Sequence, residues 1–127
     1  MANLNHITLL GHLTRDPDLR YTPNGTPVAT LGLAINHRYR RGNEWKDEVC
    51  YIDCTVFGRM AETTTDYLSK GSPVLVEGRL RWRSWEAQDG QLRTKHEVLA
   101  TNVQFLPRSD QAIEPEREPV TLDEAPF

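Results

Sequence analysis

The sequence predicts an all-β domain that contains one short helix, and three observations support this fold class. Apolar and polar residues alternate in several segments, among them Val28 to Asn36 and Glu48 to Phe57, with the period of a β-strand. The dipeptides Asn24-Gly25 and Asp89-Gly90 stand between such segments, where they favour tight hairpin turns. Only Met60 to Ser69 changes to a helical period.

The predicted elements follow one another as three strands, a helix and two strands. The first strand is interrupted at Asp16-Pro17, and Gly71 is expected to end the helix as its C-cap. The strands are Ile7 to Thr14 with Leu19 to Tyr21, Val28 to Asn36, Glu48 to Phe57, Val74 to Trp85, and Leu92 to Leu106. This element order is that of an OB-fold, a five-stranded, partly open Greek-key barrel.

The alternation also predicts which side chains enter the barrel core. The small apolar face of the third strand is the natural core side, and this turns Tyr51 and Phe57 outward, where their rings could stack on bases. That core face consists of Cys50, Ile52, Cys54 and Val56. On the last strand, the inward residues are expected to be Leu99, Val103 and Phe105.

Charge divides the 127-residue chain into a nearly neutral body and an acidic tail. Residues 1–106 contain 13 basic and 12 acidic side chains, whereas residues 107–127 contain two basic and six acidic ones. Four prolines interrupt the acidic segment, which cannot form an apolar core. We expect an OB-fold domain over residues 1–106, a disordered linker over residues 107–122 and an acidic interaction tip over residues 123–127.

Neither the N-terminal segment nor the cysteines indicate export. No apolar run approaches the ~20 residues of a membrane helix, and the N-terminal segment lacks the basic start and cleavage site of a signal peptide. Cys50 and Cys54 lie about 13 Å apart along a strand, beyond the ~4.4–6.8 Å that separates the Cα atoms of a disulfide. Reduced thiols favour the cytoplasm, so we expect a cytoplasmic protein with no membrane partner.

The fourth strand places three arginines and a tryptophan on one face. Because strand side chains alternate, Arg79, Arg81, Arg83 and Trp85 point the same way. Guanidiniums in a row form a track for phosphates, and an indole beside them can stack on a base, as sequence-independent binding of single strands requires. A solvated charged face is the weaker interpretation, because no glutamate partner interrupts the arginines. Trp82 faces the other way and is expected in the core or against a neighbouring subunit.

The basic segment from His37 to Asp47 is predicted to be a loop with Gly42-Asn43 near its tip. Aromatic side chains interleave with basic ones there, which suggests contact with a nucleic-acid backbone and stacking on bases. An exposed loop with scattered charge explains the composition equally well. The candidate contact residues are Arg38, Tyr39, Arg40, Arg41 and Trp45.

The sequence contains no pattern that points to catalysis or to a cofactor. Its two cysteines and four histidines lack the paired spacing of a zinc site, so we expect no metal. A phosphate-binding glycine loop, a Gly-x-Ser-x-Gly motif and clustered carboxylates are missing as well. We therefore expect a binding protein and not an enzyme.

Several short stretches form an ordered set that is more specific than any one of them. They are Asn5 to Tyr21, Pro23-Asn24-Gly25, Leu33-Ala34, Phe57-Gly58-Arg59 with Ala61-Glu62, Tyr67-Leu68, Lys70-Gly71-Ser72, Glu77 to Leu80 and Thr101-Asn102-Val103. This set resembles the bacterial single-stranded DNA-binding protein (SSB) family. The resemblance implies a protein that coats single-stranded DNA of any sequence during replication, recombination and repair.

The resemblance also implies roles for individual residues. The base-stacking aromatics would be Tyr39, Tyr51, Phe57 and Trp85. The phosphate contacts would fall on Arg15, Arg20, Arg59, Arg79, Arg81 and Arg83. Members of this family assemble as homotetramers whose first strands pair between subunits, and a cytoplasmic, nucleoid-associated location follows from the same role.

The C-terminal residues resemble the acidic tip through which this family recruits replication, recombination and repair proteins. They are Asp123, Glu124, Ala125, Pro126 and Phe127. This tip has fewer acids than is common in the family, and the linker before it is short and poor in Gly, Gln and Asn. Two alternatives stay open: an OB-fold replication accessory protein of the primosome type, and an OB module that binds RNA or oligosaccharide. The acidic Pro-Phe end argues against the first, and the distributed arginines and aromatics argue against the second.

Overall fold

The computed structural model describes residues 2–107, which form six strands and one helix. The predicted tip and nearly all of the predicted linker lie outside the described residues. The elements are β1 (Ile7–Leu13), β2 (Asp18–Tyr21), β3 (Pro27–Arg41), β4 (Glu44–Phe57), α1 (Arg59–Tyr67), β5 (Pro73–Glu86) and β6 (Leu92–Phe105). Within residues 2–107, every helix is too short and too polar to cross a membrane.

Five of the strands close into a barrel, which confirms the predicted OB-fold. Neighbouring strands follow the order β1-β5-β6-β4-β3, and β3 returns to β1 through the pairs His12–Ala34 and Leu13–Leu33. The pairing of β4 with β6 is parallel, and the others are antiparallel. The strand β2, predicted as a continuation of the first strand, pairs instead with β3 and lies at the edge of the sheet.

Apolar side chains from all five barrel strands fill the interior. The largest of them are fully buried: Leu13, Leu31, Leu33, Val56, Val74, Val76 and Val98. The helix α1 adds Ala61 to this core. It ends at Tyr67, earlier than predicted, because Leu68 adopts an extended conformation. Gly71 is therefore not the C-cap; it has a positive φ of 89° in the turn that follows.

A β-bulge between β5 and β6 changes which residues of β6 enter the core. The register shifts between Glu77 and Gly78, which leaves Thr101 as an extra residue on β6. Beyond the bulge the alternation is reversed, so Val98 is buried and Leu99 lies on the opposite side, only partly buried. The prediction that Leu99 points inward is therefore wrong, because it assumed an uninterrupted strand.

Two hairpins extend beyond the barrel. The β5–β6 hairpin is one of them, and its strands pair as far as Glu86 and Leu92. The strands β3 and β4 pair without interruption as far as Arg41 and Glu44, so the predicted loop is a two-stranded arm with its turn at Gly42-Asn43. We call residues 36–50 the β3–β4 arm. Cys50 is exposed there, beyond the end of the core, whereas Cys54 is buried. The prediction of Cys50 as a core residue is wrong for this reason.

Candidate nucleic-acid interface

The side of the sheet that faces away from the core forms one surface, which we call the outer face. The strand β4 contributes alternate residues to it, namely Tyr51, Asp53, Thr55 and Phe57. Thr55 pairs with Leu99 of β6, and β6 in turn aligns Glu97 with Arg81 of β5. Because directly paired residues share a side of the sheet, the outer face runs from β2 across β3, β4 and β6 to β5.

Three of the predicted stacking aromatics have exposed rings on the outer face. Tyr51 is 71% exposed and Phe57 is 44% exposed. Trp85 stands near the end of the β5–β6 hairpin and is 38% exposed. The guanidinium carbon of Arg83 lies 4.9 Å from the centroid of the Trp85 ring, a favourable cation–π contact.

Arg81 and Arg83 share a buried carboxylate, contrary to the expectation that these arginines lack a glutamate partner. Glu97 is only 3% exposed and lies directly opposite Arg81. The Nε atom of Arg81 donates a hydrogen bond to Oε2 of Glu97 over 3.0 Å. The Nε atom of Arg83 lies 3.3 Å from the same oxygen. The two guanidiniums are therefore held at a fixed place on the outer face.

Arg15 reaches the outer face from the turn after β1. Its Nη2 atom lies 3.5 Å from Oδ1 of Asp53, and Nζ of Lys95 lies 2.7 Å from Oδ2 of the same carboxylate. Gly32 makes room for this arrangement, because a Cβ atom at that position would lie 2.2 Å from Nη1 of Arg15. The sheet therefore carries a second group of cations around one carboxylate.

Three other predicted arginines differ in their surroundings. Arg79 is exposed on β5, and no carboxylate of residues 2–107 lies within ion-pairing distance of it. Arg20 pairs with Val28 across β2 and β3, and its Nε atom lies 3.1 Å from Oδ2 of Asp18. Arg59 is exposed at the start of α1, so the sheet register does not place it on the outer face.

The β3–β4 arm carries predicted contact residues on both of its sides. Trp45 shares the side of the outer face with two arginines, whose guanidinium carbons lie 5.1 Å (Arg38) and 5.9 Å (Arg40) from its ring centroid. Tyr39 and Arg41 point to the opposite side, because strand side chains alternate. The structure therefore does not bring Tyr39 together with the outer-face aromatics.

Trp82 is not a core residue, and that prediction is wrong. It points to the side of the β5–β6 hairpin opposite Trp85 and is 59% exposed. The hairpin extends beyond the barrel at this position, so no core exists there to receive the ring. The other expectation for Trp82, contact with a neighbouring subunit, stays a prediction.

The sequence reasoning missed Lys95 and Glu97, although a hairpin signal stood beside them. A two-residue turn at Asp89-Gly90 would align Arg81 with Val98. The observed connection contains one more residue, with the Ala87 N–H donating to the Gln91 carbonyl, and it aligns Arg81 with Glu97. The length of this turn therefore decides which side of the hairpin receives the carboxylate.

The described residues hold no cluster suited to a metal ion. No group of three or more His, Cys, Asp or Glu side chains within residues 2–107 could coordinate one. Burial raises the pKa of the Cys54 thiol to about 12, with smaller contributions from Asp53 and Glu97, so this thiol stays protonated at neutral pH.

Comparison with known proteins gives relatives that span most of this chain. Proteins named single-stranded DNA-binding protein from Wolinella succinogenes and Treponema pallidum are 48% and 47% identical over 103 and 106 residues. The matched segments cover 80% and 84% of this chain but 64% and 60% of those relatives. The chain thus spans less than two thirds of the length of these curated relatives.

A solved structure and a family model extend the comparison. The structure is described as a Plasmodium falciparum SSB complex with ssDNA; it superposes with a TM-score of 0.78 at 28% identity and covers 84% of this chain and 98% of that one. Residues 4–106 match the model of the single-strand binding protein family. Because that match spans the whole barrel, the chain belongs to the single-strand binding protein family.

Proposed function

We propose that this protein binds single-stranded DNA without reading its sequence, and that it catalyses no reaction. The outer face supports this most directly, because exposed aromatic rings and arginines share one side of the sheet. Rings stack on any base and guanidiniums attract any phosphate, so neither contact discriminates between sequences. The names of the family and of the relatives agree with this ligand.

The proposed binding uses two kinds of contact, base stacking on aromatic rings and ion pairing of phosphates with arginines. Bases stack on the outer-face rings and on the rings of the β3–β4 arm, which are Tyr51, Phe57, Trp85, Trp45 and Tyr39. Phosphates contact the arginines of the domain, which are Arg15, Arg20, Arg59, Arg79, Arg81 and Arg83, with Arg38, Arg40 and Arg41 on the arm. A DNA strand that follows the outer face reaches Trp45, Arg38 and Arg40 on the same side of the arm, whereas contact with Tyr39 and Arg41 requires DNA on the opposite side of the arm.

The phosphates must compete with carboxylates for most of these arginines. Exposed ion pairs such as Arg20–Asp18 contribute only about 0–1 kcal/mol, so a phosphate can replace the carboxylate at small cost. Arg79 offers its charge without a carboxylate of residues 2–107 beside it. Each phosphate that is neutralised on a single strand releases about 0.7 counterions, so the affinity should fall as the salt concentration rises.

Fluorescence titration with oligo-dT at several salt concentrations tests the proposal. We expect quenching of the tryptophan and tyrosine emission, tight binding and a linear fall of log affinity with log salt. Oligonucleotides of mixed sequence should bind with similar affinity, and duplex DNA of equal length should bind far more weakly. Equal affinity for duplex and single strand would contradict the proposal, and a strong preference for oligo-rU would favour the RNA-binding alternative.

We also propose that the protein assembles as a homotetramer. The strand β1 pairs with β3 only through His12 and Leu13, which leaves the N-terminal part of its outer edge available to a second copy. Four linked domains would also raise the effective concentration of binding sites along one DNA strand. Light scattering should then give four times the 14.5 kDa chain mass at micromolar concentration. A mass of one chain would contradict this proposal.

A second set of partners is proposed for the C-terminal tip, residues 123–127. An aromatic ring and two acidic side chains together suit a pocket with an apolar floor and a basic rim. We propose that replication, recombination and repair proteins carry such pockets and meet the tip in the cytoplasm, on the nucleoid. Deletion of residues 123–127 should abolish their capture in pull-down assays and leave DNA affinity equal or slightly higher. Undiminished capture would contradict the role of the tip.

A further inference from the structure

Glu97 has an unusual place for an acidic residue on a surface that is proposed to bind DNA. It lies on the outer face of β6, with Arg81 directly opposite it on β5. Its side chain is only 3% exposed, whereas the side chains of Arg81 and Arg83 are 36% and 45% exposed. The carboxylate is therefore covered by the two arginines, and it does not itself face solvent.

One oxygen of this carboxylate contacts two arginines, and one of these arginines contacts a tryptophan ring. Oε2 accepts the 3.0 Å hydrogen bond from Nε of Arg81 and lies 3.3 Å from Nε of Arg83. The guanidinium of Arg83 is also the one that lies 4.9 Å from the centroid of the Trp85 ring. The contacts therefore run without a break from Glu97 through Arg83 to Trp85.

We propose that Glu97 is a positioning residue, which fixes the two arginines and, through Arg83, the ring of Trp85 before DNA arrives. This inference rests on the proposed binding of single-stranded DNA to the outer face. Long arginine side chains lose much rotational freedom when they bind a ligand, and a site ordered in advance avoids that loss. The buried carboxylate supplies the order, and the exposed parts of the guanidiniums remain available to phosphates.

Simple electrostatics makes the opposite prediction, which gives the inference a sharp test. A carboxylate close to a phosphate path repels the phosphate and neutralises part of the positive charge beside it. Removing its charge should therefore strengthen DNA binding and steepen the fall of affinity with salt. If Glu97 acts by position, the same removal should weaken binding. The sign of the change therefore separates the two explanations.

The test compares Glu97→Gln with Glu86→Gln in the full chain by titration with oligo-dT. Both variants remove one negative charge. Glu86 is exposed near the end of the same hairpin and points to the side opposite the outer face, so it contacts neither Arg81 nor Arg83. We expect Glu86→Gln to bind as tightly as the unaltered protein or slightly more tightly. We expect Glu97→Gln to bind about tenfold more weakly, the order of magnitude for re-ordering two or three side chains on binding. Binding by Glu97→Gln as tight as that of Glu86→Gln would overturn the inference.

A second variant keeps the charge and changes only the place of the carboxylate. In Glu97→Asp the side chain is one methylene shorter, so it cannot hold both guanidiniums as Glu97 does. Positioning predicts weaker binding for this variant too, whereas a purely electrostatic role predicts no change. Unaltered affinity of Glu97→Asp would count against the inference, and thermal unfolding of each variant shows that binding is measured on folded protein.

Two measurements test whether Glu97 fixes the Trp85 ring through Arg83. When Arg83 is already alanine, adding Glu97→Gln should cost less affinity than it does alone, because the Glu97–Arg83 contact is already gone and only the contact with Arg81 remains to be broken. With Trp45→Phe and Trp82→Phe, Trp85 is the single emitting tryptophan, and Glu97→Gln should lower its fluorescence anisotropy without DNA. Additive effects and an unchanged anisotropy would refute the route. If the unaltered protein failed to bind oligo-dT, the proposed function itself would be wrong, whereas the anisotropy would still report the positioning.

Discussion

Replacement of Trp85 by alanine should weaken the binding of single-stranded DNA and leave the barrel folded. The ring is 38% exposed and lies near the end of a hairpin beyond the barrel, so its removal opens no cavity in the core. Trp82 provides a matched control, because it lies three residues away on the other side of the same hairpin and is more exposed. Both variants replace a tryptophan of β5 by alanine, and they differ in the side of the hairpin from which the ring is removed.

The expected magnitude follows from what the Trp85 ring does with and without DNA. A base stacked on an aromatic ring contributes about 1–3 kcal/mol. In the free protein, Arg83 already lies over the Trp85 ring. An exposed cation–π contact contributes about 0.5–1 kcal/mol, and a stacking base must share the ring with Arg83 or displace it. The net loss should therefore be about 1–2 kcal/mol, which is roughly a 5- to 30-fold weaker affinity at 1.4 kcal/mol per tenfold change.

Titration with oligo-dT at fixed salt measures this difference, and thermal unfolding checks the fold. Trp82→Ala should change the affinity by less than about twofold, since its ring is not on the outer face. Its thermal midpoint should also stay near that of the unaltered chain, unless a neighbouring subunit covers the ring. If Trp82→Ala lost affinity while Trp85→Ala kept it, the assignment of the outer face would be refuted.

Three further results are expected from the barrel itself. Gly78→Ala should destabilise the fold by roughly 1–3 kcal/mol, because its Cβ would lie 2.1 Å from the Leu99 carbonyl oxygen; chemical denaturation measures this. A thiol reagent should label only the exposed Cys50 in native protein and both cysteines in denaturant; rapid labelling of Cys54 would contradict its burial. The pKa of Cys54 is raised from 9.0 to about 12, so its contribution to stability should be full below pH 9 and be lost as pH rises towards 12. Unfolding curves at several pH values should show this loss, and Cys54→Ala should remove it.

The barrel strands could be predicted from the sequence because their signals are local. Asn24-Gly25 shows this well, since Gly25 has a positive φ of 88° in the turn that joins β2 to β3. The bulge at Thr101 could not be predicted in the same way, because one extra residue leaves no mark in composition. Residues 37–47 of the β3–β4 arm read as a loop because they are polar on both sides, and only pairing between β3 and β4 makes them strands.

The site was predictable to the extent that it depends on alternation within one strand. Arg81, Arg83 and Trp85 share a side on β5, as their spacing indicates. The carboxylates that hold the cations could not be assigned, because their partners come from other strands. Asp53 meets Lys95 only because β4 and β6 pair in parallel when the barrel closes, and no local pattern encodes that contact.

The β3–β4 arm has no core of its own, and this determines how its length can vary. Insertion of one residue into each strand would send every side chain beyond the insertion to the other side, so that Trp45 and Tyr39 would exchange sides. Insertion of two residues into each strand would keep every side chain on its present side and lengthen the arm by about 7 Å. An arm of this kind can therefore be lengthened or shortened by steps of two residue pairs, with the barrel and the outer face left unchanged.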